Sequence, residues 1–263
     1  MKTAASETVL ITGASSGIGL ELAKCFAADK SNLILVARNT LAMETLAAEL
    51  RREHKIDVHI ITVDLSRTES PQMIFDELKG RGIVVDALVN NAGFGLHGSF
   101  VELPLVRQLE MVQVNVASLV ALTGLFLPGM VQRQRGGILN VGSVAGFVPG
   151  PNMAIYYATK AFVLSYSEAL HEELCDTGVC VTNLCPGPTE TNFSQVARGH
   201  RIRQTRTHKM PVDLVARIGY ESFRSGKCLS VPGLKNKILA CVGSKILPRT
   251  TVRKLSGHYN KLK

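Results

Sequence analysis

Seven short aliphatic runs recur at steady intervals along the chain, and this alternation constrains the fold more than any other feature. Runs that are apolar almost throughout are typical of strands covered on both faces. Helical patterns such as residues 41–53 and 71–80 lie between the runs. The sequence therefore predicts an α/β fold with a doubly wound parallel sheet of about seven strands and helices on both faces. The predicted strands are residues 8–11, 32–37, 58–63, 87–90, 137–142, 179–185 and 227–231.

The composition is that of one globular domain. The 263 residues are 46% hydrophobic, and no linker or low-complexity stretch divides them, so we expect a single domain over residues 1–263. The six cysteines form no Cys-x-x-Cys pair, and we expect buried reduced thiols rather than a metal site. Residues 1–17 hold too short an apolar run for a signal peptide, which predicts a cytoplasmic protein.

The longest apolar run, residues 116–131, bears on membrane insertion. It is shorter than the roughly 20 residues that a membrane-spanning helix needs. Pro128 and Gly129 also interrupt it. We therefore expect a buried helix and no membrane span.

Positive charge is concentrated towards the C-terminus. Residues 196–263 hold 16 Lys or Arg against 2 acidic residues, whereas residues 1–195 hold 14 against 19. Such a tail could meet a phosphorylated cofactor, an acidic carrier protein or a membrane surface in peripheral contact, although a solvated basic face accounts for it more simply. No nucleic-acid-binding motif accompanies the charge, so nucleic acid is not an expected partner.

Residues that follow the predicted strands should collect around a ligand crevice, because that crevice lies at the carboxyl ends of the strands. After the first strand, Gly13, Gly17 and Gly19 in TGASSGIG open a helix and would let a pyrophosphate approach backbone amides. A glycine triplet alone also occurs in ordinary turns. Asp64 follows the third strand and would contact an adenine edge, or would simply begin a helix. The turn NNAG (90–93) would support the sheet.

The end of the second strand, LILVARNT (33–40), bears on which nicotinamide cofactor the crevice accepts. A fold that prefers NAD usually places Asp or Glu here to accept the ribose hydroxyls, but this chain has Arg38 and Asn39. A guanidinium can pair with a 2′-phosphate through two parallel hydrogen bonds, and Asn39 can add a donor. The sequence thus predicts NADP(H) in preference to NAD(H), with a solvated arginine as the alternative.

The stretch YYATK (156–160) contains two tyrosines, of which only one shares a helix face with the lysine. Lys160 lies one turn after Tyr156, whereas Tyr157 points about a quarter-turn away and is expected to be a packing or rim residue. An adjacent ammonium is expected to lower the pKa of Tyr156 from its usual value of about 10. Ser143 ends the fifth strand and can present its hydroxyl to the same point. Taken singly, these residues could equally be a cap, a surface tyrosine and a solvated lysine.

Six motifs together resemble the short-chain dehydrogenase/reductase family: TGASSGIG, NNAG, Asn115 in VQVNVAS, Ser143, YYATK and PGPTET (186–191). The resemblance covers about residues 8–193 and implies a Rossmann-type fold. Residues of about 190–263 match only loosely and would form the substrate-side region and the basic tail.

The resemblance also implies roles for these residues. Tyr156 would be the general acid in carbonyl reduction and the base in alcohol oxidation, and Ser143 would hydrogen-bond the substrate oxygen. Lys160 would bind the nicotinamide ribose, and Asn115 would hold a water on a proton path to solvent. Motifs and resemblance together predict these cofactor-binding residues: Gly13, Ser15, Ser16, Gly17, Ile18, Gly19, Arg38, Asn39, Asp64, Leu65, Asn91, Ala92, Gly93, Tyr156, Lys160, Pro186, Gly187, Thr189 and Thr191.

These observations predict an NADP-dependent oxidoreductase that moves hydride between a nicotinamide and a carbonyl or secondary alcohol carbon. The alternative is a protein that senses NADPH and binds a partner without turnover, although such a protein would not need Tyr156. The basic tail would steer an acidic or phosphorylated substrate, such as an acyl group on a carrier or on coenzyme A. Apolar residues near the crevice predict a hydrophobic substrate portion: Phe94, Val144, Phe147, Pro149, Met153 and Phe193.

Two predicted long helices, residues 104–132 and 155–177, carry more apolar surface than one face needs. The resemblance implies assembly through these helices, so we expect a homodimer or homotetramer. The alternative is that both helices only cover the sheet.

Overall fold

The computed structural model describes residues 6–191, 193, 197, 209–245 and 247–261, with the side chains of 241–245 excepted. Within these residues the chain forms a seven-stranded sheet in the order β3-β2-β1-β4-β5-β6-β7, and all neighbouring strands are parallel. The order changes direction between β1 and β4, which creates a crevice at the carboxyl ends of these strands. The strands are β1 Thr8–Thr12, β2 Asn32–Ala37, β3 Val58–Thr62, β4 Ala87–Asn90, β5 Gly136–Val141, β6 Val179–Leu184 and β7 Leu229–Ser230.

Helices connect the strands and follow the last one. A short 3₁₀ helix, Val144–Phe147, comes directly after β5, and a π-helical turn, Gln113–Ala117, joins α4 to α5. The α-helices of the described residues are α1 Gly17–Ala28, α2 Thr40–His54, α3 Ser70–Gly80, α4 Leu105–Val112, α5 Ser118–Gln132, α6 Ala154–Glu173, α7 Val212–Arg224, α8 Leu234–Lys245 and α9 Arg249–Tyr259.

Both faces of the sheet are covered, as the apolar strands predict. On one face, Val9 packs in a core that includes Phe26 of α1. On the other face, Leu10 packs with Ile74 of α3 and Phe126 of α5. Neighbouring residues of β1 thus point to opposite cores, and the predicted Rossmann-type α/β fold is confirmed.

Several predicted boundaries were wrong by a few residues. The last strand has two residues instead of five, because β7 pairs with β6 only at Asn183 and Leu184. Helix α6 spans Ala154–Glu173 instead of the predicted residues 155–177, and Asn152 just before it adopts a left-handed conformation with φ of 62°. The predicted helix 104–132 is not uniform, because the π turn interrupts its α-helical hydrogen bonding.

The helical stretch Leu105–Gln132 is long enough and apolar enough to cross a membrane. The core helices of soluble proteins can be equally long and apolar. In this fold, Leu122, Phe126 and Met130 of α5 pack into the core beneath the sheet. The run predicted as a buried helix therefore covers the sheet on one side and is partly exposed on the other.

The cysteines differ from the expectation of buried thiols. Among the five whose side chains are described, Cys185 is buried, Cys175 is exposed, and the other three are intermediate. All five are free thiols. The error arises because Cys175 follows the end of α6, where the chain turns at the surface.

Candidate active site

A cleft of about 1430 Å³ lies at the carboxyl ends of the strands. Its walls come from the loops that follow β1, β2, β3, β4, β5 and β6, and from the C-terminal helices α8 and α9. All but two of the predicted catalytic and cofactor residues line it. The exceptions are Gly19, which is buried in the first turn of α1, and Asn115, which is buried behind the wall.

The loop between β1 and α1 needs glycine at three positions for two different reasons. Gly13 and Gly17 have φ of 66° and 58°, which side chains disfavour. A Cβ atom on Gly19 would lie 2.4 Å from Nδ2 of Asn91 and 2.5 Å from the carbonyl oxygen of Gly13. Ser16 begins α1 without a side-chain cap, so the helix N-terminus opens onto the cleft. This cradle suits a pyrophosphate.

The turn after β4 holds the glycine loop in place. The amide of Asn91 donates to the carbonyl oxygens of Thr12 and Gly13 at 2.8 and 3.2 Å. The hydroxyl of Thr12 accepts hydrogen bonds from the backbone of Asn91 and Ala92, both at 3.0 Å. The predicted supporting role of the NNAG turn therefore has a direct structural basis.

Arg38 and Asp64 stand together beside the glycine loop. The guanidinium Nη1 lies 3.9 Å from Oδ2 of Asp64, and the Arg38 side chain is 72% exposed. Burial raises the pKa of Asp64, but hydrogen bonds from Ser66 and the charges of Arg38 and Arg67 lower it overall, so the group is a carboxylate. Asn39 caps α2 by accepting a hydrogen bond from Ala42, which leaves its amide nitrogen as the available donor.

Ser143 and Tyr156 meet in the cleft. Ser143 follows β5, and its hydroxyl accepts a hydrogen bond from the backbone of Ala145 at 3.1 Å. Tyr156 is 9% exposed and its hydroxyl interacts with Ser143. Burial raises the pKa of Tyr156 to about 12, although the hydrogen bond to Ser143 works in the opposite direction. The phenol is therefore protonated at neutral pH.

Lys160 lies on the same side of α6 as Tyr156, as the helical register predicts. Its Nζ donates to the carbonyl oxygen of Val141 at 2.7 Å and lies 6.0 Å from the centroid of the Tyr156 ring. Burial lowers the pKa of Lys160 to about 8. The pKa of Tyr156 is therefore raised rather than lowered, the opposite of the expected direction, and burial of the phenol is the main cause.

Asn115 occupies the π turn and connects two walls of the cleft. Its Nδ2 donates to the carbonyl oxygen of Phe94 and to the hydroxyl of Thr159, while its Oδ1 accepts from the amide of Phe94. The Thr159 hydroxyl in turn donates to the backbone carbonyl of Tyr156. The side chain thus braces the neighbourhood of Tyr156, and the water that it is predicted to hold stays a prediction.

Helix α6 is itself anchored from beneath by a buried polar row. Asn90 on β4 and Asn140 on β5 are in register, and the Asn90 amide donates to Oδ1 of Asn140 at 3.0 Å. The Asn140 amide donates to the hydroxyl of Ser167 on α6 at 2.9 Å. This row ties the helix that carries Tyr156 and Lys160 to the centre of the sheet.

The segment after β6 brings together residues from both ends of the chain. A methyl carbon of Thr191 lies close to Gly17, and a Cβ on Gly187 would lie 2.4 Å from Nδ2 of Asn236. Asn236, on α8, is held by a hydrogen bond to the carbonyl of Pro232. Sequence reasoning missed Asn236, although it follows the last strand, where functional residues are expected to collect.

The apolar substrate wall was predicted in part. Phe94, Val144, Met153 and Phe193 line the cleft, and the ring of Phe193 lies 5.2 Å from that of Tyr156. Phe147 and Pro149 do not line it, because the 3₁₀ helix and the extended residue after it present Val148 to the cleft instead. The described C-terminal residues add Leu239, Leu247, Val252, Leu255 and Tyr259. Those at 194–196 and 198–208 of the predicted substrate-side region lie outside the described residues.

Tyr157 has a role separate from that of Tyr156. Its hydroxyl accepts a hydrogen bond from Nδ2 of Asn260 at 3.0 Å. The carbonyl oxygen of Asn260 also accepts from Nε2 of His97 and from Nδ2 of Asn152, at 3.1 and 3.0 Å. Asn260 is only 2% exposed, so it fastens the end of α9 over the cleft. No pattern in the sequence indicated this contact.

The sequence of this chain is similar to those of known dehydrogenases and reductases. The family model described as short chain dehydrogenase matches residues 7–201. The NADP-dependent 3-hydroxy acid dehydrogenase of Schizosaccharomyces pombe is 35% identical over 203 residues, covering 75% of this chain and 77% of that protein. The human very-long-chain 3-oxoacyl-CoA reductase is 31% identical over 198 residues, covering 73% of this chain and 62% of its own length. The matched part is thus less than two-thirds of the human protein.

Two solved structures show the same architecture. A short-chain dehydrogenase from Sphingobium yanoikuyae in complex with NADPH has 35% identity and a TM-score of 0.80, and the match covers 87% of this chain and 88% of that one. A short chain dehydrogenase/reductase from Burkholderia phymatum in complex with NAD has 26% identity and a TM-score of 0.79, over 90% and 92% of the two chains. With a family match over most of its length, this chain belongs to the short-chain dehydrogenase/reductase family.

Proposed function

We propose that this protein is an NADP(H)-dependent oxidoreductase that interconverts a carbonyl group and a secondary alcohol on a hydrophobic substrate. The observation that carries the proposal is the meeting of Ser143 and Tyr156, with Lys160 beside Tyr156, in the same cleft as the glycine loop. A non-catalytic sensor would need the loop but not this arrangement of a proton donor and a second hydroxyl.

The cleft fits a nicotinamide dinucleotide. The glycine loop and the open N-terminus of α1 would hold the pyrophosphate, and the segment from Pro186 to Thr191 would lie along the nicotinamide. When bound, the cofactor supplies or accepts the hydride. The shape of this cradle depends on Gly13 and Gly19. A side chain at either position would collide with Asn91 or with the backbone of the loop.

The chain's own residues would manage the proton. Tyr156 is protonated and points with Ser143 into the cleft, so it is placed to donate to the oxygen of a carbonyl substrate. Ser143 would orient that oxygen by hydrogen bonding. Lys160, with a pKa lowered to about 8 by burial, would retain a positive charge at neutral pH and would stabilise the phenolate that remains after the transfer.

The preference for NADP(H) is supported by Arg38. Its guanidinium is mostly exposed at the end of β2, where the second ribose of a dinucleotide lies in this fold, and Asp64 holds it there only at 3.9 Å. A 2′-phosphate is a stronger partner for a guanidinium than this distant carboxylate. The similar structure with NADPH and the NADP-dependent relative fit the proposal, whereas the similar structure with NAD shows that the fold itself does not decide it.

A hydrophobic substrate is supported by the cleft wall. Phe94, Met153 and Phe193 pack with Tyr156 and line the cleft. Relatives named for 3-oxoacyl-CoA and 3-hydroxy acids suggest a class to examine first, namely 3-oxoacyl thioesters. The basic C-terminal residues would favour such an anionic substrate.

A turnover assay tests this function. Purified protein with NADPH is mixed with ketones and 3-oxoacyl thioesters of increasing chain length, and nicotinamide absorbance is followed. We expect consumption of NADPH that improves with chain length and disappears in Tyr156→Phe. Binding of NADPH without consumption on any of these substrates, or equal rates for the Tyr156→Phe variant, would contradict the proposal.

We further propose one cytoplasmic domain over residues 1–263, without a membrane span, that assembles as a homodimer or homotetramer. Val106 and Leu109 of α4 and Phe162 of α6 are 67%, 59% and 40% exposed, and the two helices pack against each other. Such a pair of apolar helix surfaces is typical of an interface. Sedimentation at micromolar concentration should give a multiple of 28.4 kDa, and a monomer mass would overturn the assembly.

A further inference from the structure

The two C-terminal helices carry an unusual combination of exposed side chains at the mouth of the cleft. We use the name C-terminal surface for Leu234, Lys235, Lys237, Ile238 and Leu239 of α8 and Arg253, Lys254, Leu255 and Tyr259 of α9. All nine are exposed. Leu234 is 73% exposed, Leu255 60%, Ile238 54% and Tyr259 51%.

The apolar members are arranged in one-turn pairs. Leu234 and Ile238 are four residues apart and share one side of α8, and Leu255 and Tyr259 do the same on α9. Scattered exposed leucines are ordinary on a protein surface, but repeated pairs on two successive helices mark a surface that contacts an apolar environment.

The charges around these pairs have a single sign. Residues 222–263 contain ten Lys or Arg and no Asp or Glu. Lys235 and Lys237 stand next to the leucines of α8, and Arg253 and Lys254 precede Leu255 on α9. A helix with exposed aliphatic and aromatic residues interleaved with basic ones is typical of segments that lie at the surface of an anionic bilayer.

The same residues connect this surface with the cleft. Leu234, Leu239, Leu255 and Tyr259 line the mouth of the cleft as well as being exposed. A bilayer in contact with the C-terminal surface would therefore lie at the entrance that leads to Tyr156. The basic residues would also attract an acidic protein partner. An acidic protein surface, however, would bury less of the exposed aliphatic side chains than a bilayer does, so the hydrophobic effect would contribute less to binding.

We propose that the C-terminal surface docks on an anionic lipid bilayer, so that a hydrophobic substrate enters the cleft from the membrane. The basic residues would contact lipid headgroups, and the apolar pairs would enter the boundary between headgroups and acyl chains. The contact is peripheral and requires no spanning helix.

Vesicle co-sedimentation tests the docking without turnover. The purified full chain is mixed with vesicles of phosphatidylcholine alone or of phosphatidylcholine with phosphatidylglycerol, at low and high salt. We expect binding to the anionic vesicles that decreases as salt increases, and little binding to the neutral ones. No binding to the anionic vesicles would overturn the proposal and would leave the proposed oxidoreductase function untouched, since the assay involves no cofactor or substrate.

Two pairs of matched variants locate the contact. Lys237→Glu with Lys254→Glu should weaken binding at least about tenfold. Arg52→Glu with Lys79→Glu changes the net charge equally on exposed parts of α2 and α3 and should retain it. Ile238→Ser should weaken binding more than Met73→Ser, which changes an apolar side chain of similar exposure, 57%, on α3.

Three results would contradict the location or the partner. Equal losses in the two charge variants would mean that binding follows net charge alone. Equal effects of Ile238→Ser and Met73→Ser would remove the apolar contact. Salt-sensitive binding to a soluble acidic acyl carrier protein, together with no binding to anionic vesicles, would replace the membrane by a protein partner.

Discussion

The two sides of the cleft are held together in different ways. On the cofactor side, the glycine loop is shaped by backbone conformation and by contacts of Gly13 and Gly19 with the turn after β4. On the proposed substrate side, residues far apart in sequence meet: the Tyr157 hydroxyl contacts the Asn260 side chain, and the His97 ring contacts the Asn260 backbone carbonyl. A site shaped by backbone geometry can therefore be predicted from a short stretch of sequence, whereas a site closed by residues far apart along the chain cannot.

The greatest loss of activity is expected when the hydroxyl of Tyr156 is removed. Tyr156→Phe removes the hydroxyl that meets Ser143 and should reduce turnover at least about a hundredfold while NADPH binding is retained. Rates and cofactor fluorescence titrations check both parts. Tyr157→Phe is the matched control, since it removes the neighbouring hydroxyl; similar losses of turnover in the two variants would contradict the separation of their roles.

Lys160 connects catalysis with stability. Below about pH 8 the buried ammonium of Lys160 is charged. Because its pKa in the folded protein lies below the ordinary value, this charge lowers the free energy of unfolding by on the order of 3 kcal/mol. The hydrogen bond to Val141 offsets part of this loss. Lys160→Met should therefore lose most activity yet unfold several degrees higher at pH 7, and this advantage should shrink as pH rises from 8 towards 10.5. Thermal unfolding at several pH values measures it.

The same group predicts a pH dependence for carbonyl reduction. Tyr156 keeps its proton up to about pH 12, so the rate should decline first where Lys160 loses its charge, near pH 8. The initial rate at saturating NADPH, measured together with circular dichroism to verify folding, gives the profile. A rate that stays level well above pH 8 would mean that the charge on Lys160 is not needed.

A smaller effect is expected at the 2′-phosphate position. Arg38→Ala should raise the KM for NADPH by about tenfold, because an exposed guanidinium contributes less than a buried one. The KM for NADH should hardly change and serves as the control within the same variant. An unmodified enzyme that is more efficient with NADH at limiting cofactor would overturn the assignment of NADP(H).

The smallest effect is expected on the substrate side. Asn260→Ala removes the hydrogen bond to the Tyr157 hydroxyl, which contributes about 1 kcal/mol, so α9 should be held less firmly over the cleft. We expect the KM for a long-chain substrate to rise several-fold with little change in kcat, and Tyr157→Phe to show the same trend more weakly. A fall in kcat with unchanged KM would place Asn260 in the chemistry instead.

Much of the cofactor side could be predicted. The strands are short apolar runs because both of their faces are buried, and the residues that follow them were therefore identifiable. The spacing of Tyr156 and Lys160 was enough to predict that their side chains share one helix face, since a helix brings residues four apart together. Burial of the site was not predictable, and it reversed the expected direction of the Tyr156 pKa.

Four features could be predicted because each depends on periodicity or on composition within a short segment: the parallel α/β sheet, the glycine loop, the helix face shared by Tyr156 and Lys160, and the basic C-terminal end. Other features appear only in the packed fold: the π turn that places Asn115, the contact of Asn236 with Gly187 and the position of Asn260 over the cleft. The last two join residues that are far apart along the chain. Tyr157 and Asn260 are 103 residues apart, and their contact exists only after the sheet, α6 and α9 have packed.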